Sequence, residues 1–238
     1  MHAKRVLAFT LTGQFGHFRR GYATRTGLTY PFPPKTAIAG VIGAVLGIPK
    51  PHPAWTLDPE ALAVAVKPNV PLRTLMIPIT FRQAPPGRGS DAQLATLIPL
   101  EFLVRPSYTV YVSLADEARM AELQQRLEDH TCIYTPYLGI TELIADLAYL
   151  GDGLARPEPP GAKEVATVVP KRCCWLDMDR VAADDRCLFQ EVLVQNAGHP
   201  NTGFQPPERY LLNLNPHPLP LQMMVPAYRF RDEVITFL

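Results

Sequence analysis

The stretch YPFPPKTAIAGVIGAVLG, residues 30–47, carries the clearest helix signal of this 238-residue chain. Its prolines precede Lys35, and proline is tolerated in the first turn of a helix but not within it. The uncharged run that follows predicts a helix from Lys35 to about Gly47. Small residues recur along it, at Ala37, Gly40, Ala44 and Gly47. We interpret this stripe as the face that packs closely on a sheet.

Upstream, KRVLAFTLT (residues 4–12) has apolar residues on both of its alternating faces, which predicts a strand in the middle of a sheet. Between this strand and the helix, residues 13–34 form a loop-like segment rich in glycine, cations and aromatics. The segment contains no acid, and no Asp or Glu precedes Asp58. PPKT lacks the glycines of a phosphate-binding loop, so nucleotide hydrolysis is not predicted.

The formal net charge of +1 hides a strong asymmetry between the two halves of the chain. Residues 1–115 hold 12 Lys and Arg against 4 Asp and Glu, whereas residues 116–238 hold 11 against 18. A chance cluster on a solvated face is the simplest explanation, but ordinary surfaces interleave the two signs. A patch of one sign instead attracts a polyanion.

Downstream, apolar patterning predicts strands at 60–68, 72–82 and 98–114, a helix at 116–129 and a last strand, or a short helix, within 139–151. This order predicts an α+β, ferredoxin-like βαββαβ domain over residues 1–151, an order that RNA-recognition modules also use. The Pro- and Gly-rich residues 152–164 are predicted to be a linker. Residues 165–238 are predicted to form a small irregular β region.

Histidines and cysteines offer little evidence of catalysis or metal binding. Cys173 and Cys174 are adjacent, no CxxC occurs, and Cys187 and His199 lack metal-ligand spacing. We therefore expect no metal, no cofactor and a reduced, cytoplasmic protein. His17, the one histidine among arginines, could act as a general acid or base in RNA cleavage or stack on a base. A structural histidine is the commoner case.

Cations and aromatics are interleaved from residue 15 to residue 36, and this combination suits single-stranded RNA. Cations hold phosphates, and aromatic rings stack on unpaired bases. Some of these rings must belong to the core, and we expect Phe15 or Phe32 among them. The predicted RNA-binding residues of this segment are His17, Arg19, Arg20, Tyr22, Arg25, Tyr30, Lys35 and Thr36.

The first strand, the Gly- and Arg-rich loop and YPFPPKTAIAGVIGAVLGI together closely resemble the Cas-five family of CRISPR-associated proteins. This family belongs to the RAMP group of type I surveillance (Cascade) complexes. The resemblance is strongest over residues 5–48, and FGHFRR (residues 15–20) is most similar to the I-B branch.

The resemblance implies a subunit that grips the 5′ handle of the CRISPR RNA. It also implies contacts with the large subunit (Cas-eight type) and the first Cas-seven backbone subunit. The protein would contact target DNA only indirectly, because the target sequence is recognised by base pairing with the guide RNA. A long β-hairpin, the thumb, is typical of the family, and residues 72–105 are the candidate here. Further predicted RNA-binding residues lie there, at Arg73, Arg82, Arg88 and Arg105.

In type I-C systems the family cleaves precursor RNA with a Tyr, Lys and His group. No adjacent Lys-His pair follows the second predicted strand here, so we expect a protein that is not an enzyme and has no catalytic residues. Two alternatives stay open: a metal-independent endoribonuclease that matures precursor CRISPR RNA, and a ferredoxin-like interaction protein without an RNA role. No predicted helix approaches the 20 or so residues that cross a membrane, so no membrane contact is expected.

Overall fold

A computed structural model describes residues 2–21, 26–49, 58, 60–83, 94–195, 198–199, 203–204 and 206–238. Of residues 81–83, 94, 95, 198, 199, 203 and 204 it describes the backbone alone. The α-helices are α1 (Lys35–Leu46), α2 (Glu117–Glu128) and α3 (Met178–Ala183). The strands are β1 (Lys4–Thr12), β2 (Phe15–Gly16), β3 (Leu62–Pro68), β4 (Thr74–Gln83), β5 (Leu94–Val104), β6 (Ser107–Leu114), β7 (Asp146–Glu158), β8 (Gly161–Val165), β9 (Val169–Pro170), β10 (Cys174–Leu176), β11 (Phe189–Val194), β12 (Gly198–His199), β13 (Gly203–Phe204), β14 (Glu208–Asn213), β15 (Leu219–Met223), β16 (Ala227–Phe230) and β17 (Glu233–Ile235). The prediction of a mixed α+β protein is confirmed.

The strand β1 lies between two antiparallel neighbours, β6 and β7, as its apolar pattern predicts. Both of its faces are buried. On one face, Leu7, Phe9 and Leu11 belong to the main core. On the other, Val6 and Ala8 pack in a second cluster. Together with β1, the strands β7, β6 and β3 run in the order β7-β1-β6-β3.

The helices α1 and α2 share the main core with one face of β1. Ile38 and Ile42 of α1 are buried there together with Leu123 of α2. Asp116 caps α2 by accepting a hydrogen bond from the Arg119 backbone N–H at 3.1 Å. The helix α1 ends where Gly47 takes φ 70°, a left-handed conformation that favours glycine.

Residues 152–164 are not the predicted linker. Strand β7 continues to Glu158, β8 begins at Gly161, and both belong to one nine-stranded sheet, ordered β10-β15-β8-β17-β16-β7-β1-β6-β3. Proline and glycine are accommodated because Pro157 pairs with Tyr228 across an antiparallel ladder, and Gly161 takes φ 135° at the turn. The sheet therefore runs across the predicted boundary at residue 151.

The C-terminal strands cover the second face of β1 and the edge of β3. Tyr228, Phe230 and Ile235 are buried against Val6. At the edge of β3, the Val168 N–H donates to the Val66 carbonyl at 2.8 Å, and the Leu238 N–H donates to the Val64 carbonyl at 2.8 Å. These bonds occupy backbone groups that an open edge would expose. Within the described residues, no helix has the length and apolar character needed to cross a membrane.

A long antiparallel hairpin, β4–β5, projects from the region between β3 and β6. Its register runs from Thr74 opposite Leu103 to Gln83 opposite Leu94. The strand predicted over residues 98–114 is in fact two strands, because Pro106 lacks an N–H and Arg105 before it takes φ 45°. The short strand β2 pairs with β5 and joins the hairpin to the loop after β1.

Candidate nucleic-acid interface

A cavity of about 940 Å³ lies between the described residues of the segment 13–34 (13–21 and 26–34), the helix α1 and the strand β5. The segment contributes His17, Arg19 and Tyr30 to its wall. The helix contributes Thr36 and its small residues, and the hairpin contributes apolar side chains of β5. Four of the residues predicted to bind RNA therefore line one cavity.

Glu101 of β5 fastens the segment 13–34 to the hairpin through three hydrogen bonds. Its carbonyl oxygen lies 2.7 Å from Nδ1 of His17. Its backbone N–H donates to the Gly27 carbonyl at 2.8 Å. Its carboxylate Oε2 accepts from the backbone N–H of Thr29 at 3.0 Å. The loop-like segment is thus held in place by a residue of the hairpin.

His17 is buried, with 4% of its surface exposed. Its Nδ1 bonds to the Glu101 carbonyl, and its ring centroid lies 5.7 Å from that of Phe102. Its backbone N–H donates to the carbonyl of Leu138 at 2.9 Å. These contacts are typical of a structural histidine, the commoner of the cases considered from the sequence.

Arg19 and Arg20 differ in their surroundings. Arg19 is exposed at the cavity and pairs by its backbone with Thr29. The Nε of Arg20 donates to the Thr29 carbonyl at 2.7 Å, and its guanidinium carbon lies 5.9 Å from the centroid of the Tyr30 ring. Tyr30 is buried, and its hydroxyl accepts from the backbone N–H of Gln195 at 3.0 Å. Arg19 is therefore the better placed of the two arginines to meet a ligand.

Lys35, another predicted RNA-binding residue, lies at the start of α1 but does not line the cavity. Lys35 Nζ donates to the carbonyl of Asp58 at 3.3 Å. Burial lowers the pKa of Lys35 from 10.5 to about 8, and the negative charge of Asp58 offsets part of this effect. Pro34 precedes the helix without a side-chain cap, and Thr36 is exposed beside it. A helix start of this kind favours an anion.

The sequence predicts that the small-residue stripe of α1 packs on the sheet, but most of the stripe does not. Ala37, Gly40 and Ala44 line the cavity instead, and a Cβ added at Gly40 would have no atom within 4 Å. Only the end of the stripe is packed, since a Cβ at Gly47 would lie 2.6 Å from Ile133 Cδ1. The sheet is contacted by the larger apolar side chains of the helix, which occupy its other faces.

Other predicted RNA-binding residues do not line the cavity, or they lie outside the described residues. Arg73 and Arg105 are exposed at the base of the hairpin and do not line the cavity. Arg82 belongs to β4, but its side chain lies outside the described atoms. Tyr22, Arg25 and Arg88 lie outside the described residues. Phe32 is fully buried, as expected, whereas Phe15 is half-buried and packs edge-on against Phe102.

Two structural residues of the site escaped the sequence analysis. Glu101 is one acid within an apolar strand, and nothing in its spacing indicates its three bonds. Gly139 takes φ 93°, and a Cβ there would lie 2.0 Å from the His17 carbonyl oxygen. The glycine itself was the available signal, because a close backbone approach requires the absence of a side chain.

The sequence of residues 6–198 matches the family model described as CRISPR-associated protein (Cas_Cas5). The chain belongs to this family. The predicted resemblance is therefore confirmed, while its assignment to the I-B branch stays a prediction. Among curated proteins, none matches the sequence of this Cas5 chain.

Two solved structures share the fold of this Cas5 protein. A CRISPR protein from Archaeoglobus fulgidus has a TM-score of 0.59 and 10% identity, with 97% of this chain and 98% of that chain covered. A chain of a CRISPR RNA-guided surveillance complex has a TM-score of 0.51 and 13% identity, with 90% and 91% covered. At such low sequence identities, the similarity shows a shared fold alone.

Proposed function

We propose that this Cas5 protein is a non-catalytic RNA-binding subunit of a type I Cascade complex. It grips the 5′ handle of the CRISPR RNA and links the large subunit to the Cas-seven backbone. The cavity between the segment 13–34, α1 and β5 carries this proposal, because it combines the exposed Arg19 and the start of α1 with an apolar wall. The fold shared with a chain of an RNA-guided surveillance complex supports it.

The proposal includes a ferredoxin-like core and a thumb. Strands in the order β7-β1-β6-β3, with α1 and α2 sharing one core, are what a βαββαβ unit of that class requires. The hairpin β4–β5 is inserted between the second and third strands of this unit, as the thumb of the family would be. Its exposed apolar side chains, Leu75, Met76 and Leu97, give it surface for a neighbouring subunit or RNA.

The chemistry of the cavity suits unpaired nucleotides. Arg19 and the start of α1 offer partners for phosphate, and the wall formed by Gly40, Ile98 and Leu100 offers room and apolar contact for base faces. The carboxylate of Glu101 accepts a hydrogen bond from the backbone N–H of Thr29, so this negative charge faces the protein backbone. A stacked base contributes about 1–3 kcal/mol, so a few nucleotides suffice for tight binding.

A non-catalytic role is supported by the state of His17. A general base needs a free nitrogen within reach of the substrate hydroxyl. In this protein Nδ1 is engaged by the Glu101 carbonyl, and only 4% of the His17 surface is exposed, which leaves Nε2 little access to a substrate hydroxyl. The rival endoribonuclease hypothesis is tested by incubating the purified protein with repeat RNA in EDTA. We expect intact RNA, and a cut at one fixed position would overturn this part of the proposal.

The binding proposal is tested with a charge reversal, Arg19→Glu, in the assembled complex. We choose Arg19 over Arg20 because Arg20 bonds to the Thr29 carbonyl and its loss would disturb the loop. The control is Arg156→Glu, which makes the same change of charge at an exposed position of β7. We expect Arg19→Glu to lower the amount of CRISPR RNA that co-purifies with the complex, whereas the control retains it. Equal RNA in both variants would overturn the proposal.

A further inference from the structure

Three side chains from two separate turns converge at one end of the β11–β14 pair. They are Asp184, Cys187 and His217, and one ligand atom from each lies within 4.8 Å of the other two. All three side chains are half-buried. The shortest separation joins His217 Nε2 to Asp184 Oδ2 at 3.1 Å. We propose that these residues bind a zinc ion.

The donor set fits zinc by chemistry and by size. Zinc accepts thiolate sulfur, imidazole nitrogen and carboxylate oxygen, at bond lengths of about 2.0–2.3 Å. In a tetrahedral site these lengths place neighbouring ligand atoms about 3.3–3.6 Å apart. Asp184 Oδ2 and His217 Nε2, at 3.1 Å, lie slightly closer than this spacing. Cys187 Sγ lies within 4.8 Å of both, so it needs a side-chain movement of about 1.5 Å at most. Three protein ligands leave the fourth position to a water molecule.

The two turns that carry the ligands are fixed to each other by Asn213. Its Nδ2 donates to the carbonyl of Arg186 at 3.1 Å and to that of His217 at 3.0 Å. Its Oδ1 accepts from the backbone N–H groups of Leu188 and Asn215, at 3.0 and 3.1 Å. Asn213 is buried. The ligands therefore sit on a backbone that is held before any metal arrives, which lowers the ordering cost of binding.

Arg186 supplies an outer partner for the carboxylate ligand. Its backbone N–H and its Nε both bond to Asp184 Oδ1, at 3.0 and 2.8 Å. Zinc at Oδ2 would replace the bond to Nη2 of Arg186 and the contact with His217, while both bonds to Oδ1 remain. A ligating carboxylate that keeps such a partner is oriented as known metal sites require.

This site is separate from the proposed RNA cavity. Cys187 precedes β11, whereas Gln195, which lines the cavity, follows the same strand. A six-residue strand spans about 20 Å. The sequence spacing predicted no metal site, because the third ligand lies 30 residues beyond the second, and only folding brings it near. The metal would crosslink the turn at residues 184–188 to the turn at residues 214–217.

The experiment uses the untagged full-length chain, freed of metal by chelation, kept reduced and titrated with Zn²⁺ or Co²⁺. We expect one ion per chain, a thiolate-to-cobalt charge-transfer band with Co²⁺, and a higher temperature of thermal unfolding with Zn²⁺. Cys187→Ser and His217→Gln should each weaken binding at least about tenfold, the loss that even an outer-shell partner causes. Cys132→Ser, at an exposed thiol elsewhere, is the matched control and should bind as the wild type does.

Far-ultraviolet circular dichroism of the metal-free variants checks whether each one folds. Absence of a one-to-one complex, or equal binding by the wild type, Cys187→Ser and His217→Gln, would overturn the site. Neither outcome affects the proposed RNA role, which is tested at Arg19.

Discussion

His17 and Glu101 are 84 residues apart in sequence, yet Nδ1 of His17 lies 2.7 Å from the Glu101 carbonyl oxygen. Because a carbonyl oxygen only accepts, Nδ1 carries the proton and donates. The same acid bonds through its carboxylate to the backbone N–H of Thr29, 72 residues away. One residue of the hairpin thus bonds to two distant positions of the loop that lines the cavity and helps to hold it in place.

The carboxylate of Glu101 is predicted to stabilise the loop as a hydrogen-bond acceptor. Glu101→Leu leaves the N–H of the buried Thr29 without that acceptor, and we expect the free energy of unfolding to fall by about 1–3 kcal/mol. Glu101→Gln keeps an oxygen in place and is expected to cost about 1 kcal/mol or less. Urea unfolding of the three proteins measures both values. Equal stability of Glu101→Leu and the wild type would contradict the assignment.

The first strand and the first two helices could be predicted from local pattern, because each buries a continuous apolar face in the main core. The strand at 4–12 and the helix at 35–46 agree with their apolar periodicity. The residues 152–164 could not be predicted, because proline and glycine content does not report strand pairing. Here Pro157 is accommodated opposite Tyr228.

The cavity was predictable only in part. A cationic, aromatic, acid-free segment indicated a polyanion site, and His17, Arg19, Tyr30 and Thr36 do line one cavity. Which arginine faces the cavity depends on hydrogen bonds with Thr29, and these follow from the folded loop rather than from residue type. Glu101 was missed for the same reason, since its partners are distant in sequence.

Gly139 is predicted to be indispensable for the contact between the loops. An alanine there would place Cβ 2.0 Å from the His17 carbonyl oxygen and would also adopt φ 93°. We expect Gly139→Ala to lower the free energy of unfolding by more than the 1–3 kcal/mol or so that backbone strain alone costs. Gly161→Ala is the control, because φ is 135° there but no atom lies within 4 Å of the added Cβ. Similar losses in the two variants, measured by denaturant unfolding, would contradict the close approach.

Gly40 gives a way to fill the cavity without unfolding the protein. It is exposed within α1, and an added Cβ would meet no atom within 4 Å. Gly40→Ala is expected to raise the free energy of unfolding by about 0.5–1 kcal/mol through helix propensity. Gly40→Leu is expected to fold equally well but to place its side chain in the cavity.

RNA binding then separates the two Gly40 variants. Fluorescence anisotropy with handle RNA should show that Gly40→Ala binds as the wild type does and that Gly40→Leu binds weakly. Wild-type affinity in a stable Gly40→Leu protein would show that the RNA does not occupy this cavity. Wild-type binding should also weaken by orders of magnitude between about 50 and 200 mM salt if several phosphates are contacted.

The lowered pKa of Lys35 predicts that the stability of the protein depends on pH, and it determines the sign of that dependence. Burial lowers the folded-state pKa to about 8, against 10.5 for an ordinary lysine. Between these two pH values the unfolded chain binds more protons than the folded chain, so this group makes stability rise with pH over that window. Below pH 8 both states are protonated, and the folded state bears the full cost of the buried charge.

Two substitutions at Lys35 test this prediction. Lys35→Met removes the charge, and we expect it to raise the free energy of unfolding at pH 7 and to abolish this residue's share of the rise between pH 8 and pH 10. Lys35→Arg keeps a charge at every pH used, so it should remain less stable than the wild type at pH 10. Urea unfolding at pH 7, 8, 9 and 10 measures both effects. The same rise in all three proteins would contradict the prediction, because it would show that the Lys35 ammonium is solvated in the folded chain.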